Sequence, residues 1–161
     1  MSSAYFVDQV FENIIYSETP LQLGEYEQCS FEGCSFANIS LSSMQFTDCS
    51  FINCDFSMAN LDKTSLRNIQ FKYCKLVGVH FDVCNPFLFE IHCDHCNLQL
   101  ASFYGRNMKQ AAFTHCILQE TDFTNVDFTK SIFTECDFSG AVFDNTNMEQ
   151  ADFSSSYNYT I

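Results

Sequence analysis

The chain has 161 residues, 47% of them hydrophobic, with only five glycines and two prolines, which fits one folded unit and excludes a collagen-like or low-complexity chain. Twenty acidic against seven basic side chains give a formal net charge of -13, which argues against nucleic-acid or anionic-membrane binding and leaves a basic protein as the electrostatic match. Apolar residues come in short runs, so neither a membrane span nor a signal-peptide core is expected; the expected location is the cytoplasm, where ten cysteines stay reduced.

Residues 1–25 are expected to form an N-terminal cap or a distorted first coil. Phe6, Phe11, Tyr16, Leu21 and Tyr26 lie five residues apart, while Val7, Val10, Phe11, Ile14 and Ile15 also fit one face of a helix over residues 4–15. Pro20 and Gly24 mark the distortion.

Residues 26–156 are dominated by a period of five. Large apolar residues stand at Phe31, Phe36, Leu41, Phe46, Phe51, Phe56, Leu61, Leu66, Phe71, Leu76 and Phe81. A second series runs from Leu88 through Cys93, Leu98, Phe103, Met108, Phe113, Leu118, Phe123, Phe128, Phe133, Phe138, Phe143 and Met148 to Phe153. Of these 25 centres, 22 are Phe or Leu, which chance does not produce. Two residues before each centre stands a small or medium residue, with cysteine recurring at Cys29, Cys34, Cys49, Cys54, Cys74, Cys96, Cys116 and Cys136.

A period of five is neither helical nor that of a flat strand, so the chain must turn after every unit, and four turns close a square. Coils of twenty residues then stack at about 4.8 Å, with backbone groups paired between coils. The fold class expected is all-β: a right-handed quadrilateral β-helix of about seven coils. The step from Phe81 to Leu88 contains two extra residues, read as a bulge near Asn85-Pro86, since the cysteine column Cys34, Cys54, Cys74 then continues through Cys96, Cys116 and Cys136. Proline suits a bulge because it lacks the donor that a ladder needs. Residues 157–161 are expected to be a tail, and the exposed edge of the last coil implies a shortened chain, a homodimer through that edge, or a cap made by the final residues.

Stretches such as Cys54-Asp55-Phe56-Ser57-Met58-Ala59-Asn60-Leu61 and Cys136-Asp137-Phe138-Ser139-Gly140-Ala141-Val142-Phe143 resemble the signature of the pentapeptide-repeat proteins. Within that family the chain resembles the microcin-immunity and quinolone-resistance branch, on Cys84-Asn85-Pro86-Phe87-Leu88-Phe89 and Ser156-Tyr157-Asn158-Tyr159. The resemblance implies a protein partner, DNA gyrase or topoisomerase IV, protected from poisons by an acidic rod that mimics DNA. A scaffold for some other partner is the alternative. The long loop of the quinolone-resistance members and the C-terminal helix of several relatives have no counterpart here.

Asp62, Asp82 and Asp144 share one exterior column of the twenty-residue frame and are the candidate partner-binding acids. Asp55, Asp122, Asp127, Asp137 and Asp152 stand just before centres, where family practice implies structural hydrogen bonds. No catalytic residue, cofactor or metal site is expected. His92-Cys93-Asp94-His95-Cys96 looks like a metal motif, but the register turns both cysteines inward and the other three residues outward. Arg106 falls on an inward small position, so it must either escape to solvent or find a partner.

Overall fold

The structure, a computed structural model, describes residues 4–160. The chain winds as a right-handed, four-sided β-helix of about seven coils. Two sides are drawn as parallel sheets. One contains β1 (Ala4–Val7), β3 (Gly24–Glu27), β5 (Gln45–Thr47) and β7 (Ser65–Arg67), in that order. The other contains β2 (Val10–Glu12), β4 (Ser30–Glu32), β6 (Ser50–Ile52), β8 (Ile69–Lys72), β9 (Ile91–Asp94), β10 (Ala112–Thr114) and β11 (Ile132–Thr134). The remaining sides are joined by single bridges such as Ser35↔Asp55↔Lys75↔Asn97 and His80↔Ser102↔Asp122.

Residues 4–12 form β1 and β2 with a corner between them, and β2 pairs with β4 through Phe11↔Phe31. The five-residue period therefore prevails over the helical one, because Phe6 and Phe11 reach aromatic partners one coil on: Phe6 stacks on Tyr26 at 4.7 Å and Phe11 on Phe31 at 4.8 Å. The stacks continue inside the square through Phe31, Phe51 and Phe71 and through Tyr16, Phe36 and Phe56. Most corners hold a residue at positive φ two places after the centre, for example Asn38, Asn53, Gly78, Asn125 and Gly140. Asparagine and glycine adopt this left-handed conformation at least cost, which accounts for their recurrence there.

The residue two places before each centre does more than fill space. Cys34, Cys54, Cys74, Cys96 and Cys136 point their Sγ–H at the carbonyls of Phe11, Phe31, Phe51, Phe71 and Phe113, the centres of the preceding coil, at 3.1–3.4 Å. Thr64, Thr121, Ser131 and Ser156 make the same bond with a hydroxyl. Ile69, Val79, Ala101 and Val126 fill the same buried position without a donor, so compactness is the common demand, and cysteine adds a hydrogen bond at little desolvation cost. All ten cysteines are buried free thiols; burial pushes those of Cys49 and Cys84 up to about 12.

The register between coils is twenty residues up to β8 and twenty-two across the bulge, where Ile69 pairs with Ile91. The inserted segment differs from the sequence expectation in one respect. Leu88 is not a core centre: it is 64% exposed at φ 55°, and Phe89 is buried instead. Three successive apolar residues, Phe87, Leu88 and Phe89, compete for the site, and the ladder decides between them. Glu90 N–H bonds to the Leu66 carbonyl at 3.0 Å and its own carbonyl accepts from Ile69, which turns Phe89 inward. The insertion thus projects as Pro86-Phe87-Leu88, anchored by Asn85, whose Nδ2 reaches Ser65 Oγ and whose Oδ1 accepts the Phe87 amide.

Arg106 is explained by the same insertion. Its Nη1 donates to the Cys84 carbonyl at 2.9 Å and its guanidinium lies 5.9 Å from the Phe89 ring centroid. Of the two sequence readings, pairing is the one found: the widened corner makes room for a long cation that bonds the backbone of the loop-bearing coil.

Candidate partner-binding faces

Charge is laid along the rod in three blocks. The first 62 residues contain nine acids and no lysine or arginine. Six of the seven bases, Lys63, Arg67, Lys72, Lys75, Arg106 and Lys109, fall in the stretch that carries the inserted loop, against Asp82, Glu90 and Asp94. Beyond Lys109 eight acids face one base, Lys130. The rod therefore has two acidic arms and a basic waist.

Asp62 and Asp82 occupy neighbouring coils, as the Lys63 N–H to Val83 carbonyl bond shows. Asp144 lies three coils further along the same column, about 14 Å away at parallel-strand spacing, with Tyr104 and Thr124 between. The column is thus a pair and an outlier rather than a stripe. Asp82 lies 3.2 Å from His80 Nδ1, in a short 3-10 turn at Phe81–Val83.

The acids divide into two structural kinds. Asp55, Asp122, Asp127, Asp137 and Asp152 each accept the amide two residues on, at 2.8–3.0 Å, and so hold the corner of their own coil. Burial opposes ionisation at Asp137, yet hydrogen bonds from the Gln119, Asn158 and Ser139 side chains and the Ser139 amide outweigh it and lower the carboxyl to about 2. Asp127 is lowered in the same way, its burial outweighed by Thr129 and by Lys109, whose Nζ is 3.6 Å away.

The acids of the first arm are of the other kind. Glu25 and Glu27 lie on β3, Glu12 and Glu32 on β2 and β4, and Asp8 and Asp48 at the corner between the two strand sides. They point outward because strand residues alternate and the centres Phe11, Tyr26, Phe31 and Phe46 take the inside. Among the described residues none of these six makes an ion pair; Glu27 accepts a hydrogen bond from Tyr5 and Asp48 one from Asn68. Six carboxylates without an ion pair thus lie on two adjacent sides and their shared corner. Sequence reasoning passed over them, although the absence of any lysine or arginine before Lys63, together with the twenty-residue columns, was a signal that could have found them.

At the waist, Phe87 and Leu88 stand exposed, with the Arg67 guanidinium 5.3 Å from the Phe87 ring centroid. Arg67, Asn68, Leu88, Phe89 and Lys109 line a shallow open groove beside the loop. Elsewhere Asp94 and His95 meet His115 from the next coil, while Cys93 and Cys96 remain in the core. The sequence motif is therefore split as the register required, with one outward partner twenty residues further on that a linear motif cannot reveal.

A pentapeptide repeat region model matches residues 24–86, and an eight-copy pentapeptide repeat model matches residues 96–134 and 121–157. No curated protein matches the chain in sequence. Among solved structures, a trypsin-treated variant of QnrB1, a plasmid-mediated fluoroquinolone resistance protein, is similar over 99% of this chain and 79% of its own, with 20% identity and a TM-score of 0.51. HetL, a pentapeptide repeat protein involved in heterocyst differentiation regulation from the cyanobacterium Nostoc sp. strain PCC 7120, matches over 97% of this chain and 87% of its own, with 12% identity and a TM-score of 0.46. The two repeat models together span more than three quarters of the chain: the chain belongs to the pentapeptide-repeat proteins.

Proposed function

We propose that the chain is a non-catalytic acidic rod that occupies a basic DNA-binding surface of a protein, with a type II topoisomerase, DNA gyrase or topoisomerase IV, as the candidate target and protection from its inhibitors as the outcome. The observation that carries this reading is the first arm: six unpaired carboxylates on two adjacent sides, with no lysine or arginine within the first 62 residues. Duplex DNA carries one charge per roughly 1.7 Å of axis. The net charge of -13 over a rod of about 35 Å places one negative charge per roughly 2.7 Å, the same sign and order as that density. Such a surface suits a saddle that takes much of its affinity from phosphate charge. The choice of target rests on the resemblance to the microcin-immunity and quinolone-resistance branch, and the fluoroquinolone resistance protein QnrB1 shares the fold.

The test is a supercoiling and drug-stabilised cleavage assay with gyrase and topoisomerase IV over a titration of the protein. Binding that competes with DNA, weakens with salt and lowers drug-stabilised cleavage is expected. No binding and no change at micromolar protein removes the reading.

A second reading, a scaffold for a different protein, is favoured by the exposed Phe87 and Leu88 beside Arg67, a mixed apolar and cationic feature with no counterpart in a phosphate mimic. Under it, alanine at both positions abolishes partner capture while neutralising the first arm does not.

A further inference from the structure

The corner after β8, β9 and β10 carries Tyr73, His95 and His115, at φ 53°, 54° and 52°. Earlier coils place Asn13, Gly33 and Asn53 there, the residue types this conformation favours. Bulky rings in their place form a ladder on the outside of the rod: Tyr73 stacks on His95 at 4.9 Å, and His95 on His115 at 4.6 Å with the planes 12° apart. Asp94 Oδ1 lies 2.7 Å from His95 Nδ1. One ligand atom from each of Asp94, His95 and His115 falls within 4.8 Å of the others.

We propose that Asp94, His95 and His115 form a surface site for a borderline divalent transition metal, with zinc(II) as the type ion, which ties two consecutive coils together. Two imidazoles and a carboxylate suit zinc, nickel or copper and offer little to magnesium or calcium. Ligand atoms around tetrahedral zinc stand about 3.3 Å apart. The separations here must close by at most about 1.5 Å, while the Asp94–His95 contact of 2.7 Å must open by about 0.6 Å, changes that rotation of the exposed side chains can supply. The ion takes the Nδ1 lone pair of His95 and an oxygen of Asp94 in place of their hydrogen bond; the neutral imidazole then has its one N–H on Nε2, any further proton passes to water, and water completes the sphere. Glu135, next in the column after His115, adds negative charge on one side, while Lys75 lines the same depression on the other. The buried thiols take no part, since Cys96 Sγ points to the carbonyls of Phe71 and Asp94.

The test uses the full chain. Calorimetric titration with zinc(II) is expected to give one ion per chain and a rise in melting temperature. Cobalt(II) is expected to give a visible d–d spectrum without the near-ultraviolet thiolate band. His95→Gln and His115→Gln should each weaken zinc binding tenfold or more and remove the thermal shift, whereas His80→Gln, on another column, should leave both unchanged. Circular dichroism of the metal-free variants checks that the exposed substitutions leave the coil intact. No saturable binding up to millimolar zinc overturns the proposal. So does binding that survives both substitutions, or a cobalt spectrum with the thiolate band.

Discussion

The coils before Cys84 and those after the inserted loop carry equal numbers of acids, ten and ten, yet hold them differently. Aromatic rings stack coil upon coil in both, but in the first half two sides are strands and only Asp55 among the acids ties down its own corner. In the second half one of the strand sides gives way to corner turns, and Asp122, Asp127, Asp137 and Asp152 spend their carboxylates on local amides. Aspartate is thus mostly an outward charge in one half, with Asp55 the exception, and mostly a backbone cap in the other, with Asp94 and Asp144 the exceptions. Acidity by itself does not say where a partner binds; the position of the acid within the five-residue unit does.

The largest effect expected from breaking this comparison lies in the first-half stack. Phe51 packs between Phe31 and Phe71 at 4.9 and 5.3 Å, and Phe51→Ala should cost about 3–5 kcal/mol in urea unfolding. A loss below about 1 kcal/mol would mean that the stack is not the spine of that half.

At the junction, Arg106→Ala removes the donor to the Cys84 carbonyl and should destabilise by about 1–3 kcal/mol, with faster proteolysis at Pro86-Phe87-Leu88 as a local readout. An unchanged cleavage rate would separate Arg106 from the loop.

The third test sets the halves against each other. Replacing Glu12, Glu25, Glu27 and Glu32 by Gln should leave the fold intact and weaken binding to a basic partner at least tenfold, about 1.4 kcal/mol, with a shallower salt dependence. Replacing Asp122, Asp137 and Asp152 by Asn should instead lower thermal stability and change affinity less. Equal losses of affinity from the two sets would erase the distinction.

The smallest effect is a pH dependence. Asp137 has a folded-state value near 2, below the ordinary 3.8, so its contribution to stability is full above about pH 4 and is lost as pH falls through 2. Asp137→Asn should therefore be less stable than the parent protein at pH 6, by a margin that narrows between pH 4 and pH 2 in thermal melts. A margin constant over that range would remove the carboxylate's role.

Most of the architecture was legible because each five-residue unit repeats one steric demand, and the repetition averages out single exceptions such as Cys93 and Met108. Three features escaped for identifiable reasons. At Phe87-Leu88-Phe89 three apolar residues in a row fit the period equally well, and only the Glu90 to Leu66 hydrogen bond selects Phe89. The approach of His115 to His95 spans a whole coil, so local spacing within 92–96 cannot contain it. The carboxylates of the first arm were hidden because outward residues obey no packing rule; their grouping emerges only when the sequence is wound onto the square. The cysteine ladder was half visible: its smallness could be read, but the bonds from its sulfurs to the carbonyls of the preceding coil could not.

The corner residues have a mechanical consequence. A solenoid stretches and opens coil by coil, each step governed by its own corners and the interface with its neighbours. Where the corner is Asn13, Gly33 or Asn53, the left-handed turn is intrinsically comfortable; at Tyr73, His95 and His115 it persists because the rings hold one another. Opening of this corner is therefore coupled from coil to coil: losing one ring leaves its neighbours in a left-handed turn with nothing to hold it, and amide hydrogen exchange at Tyr73, His95 and His115 should rise together when any one of the three is replaced by alanine.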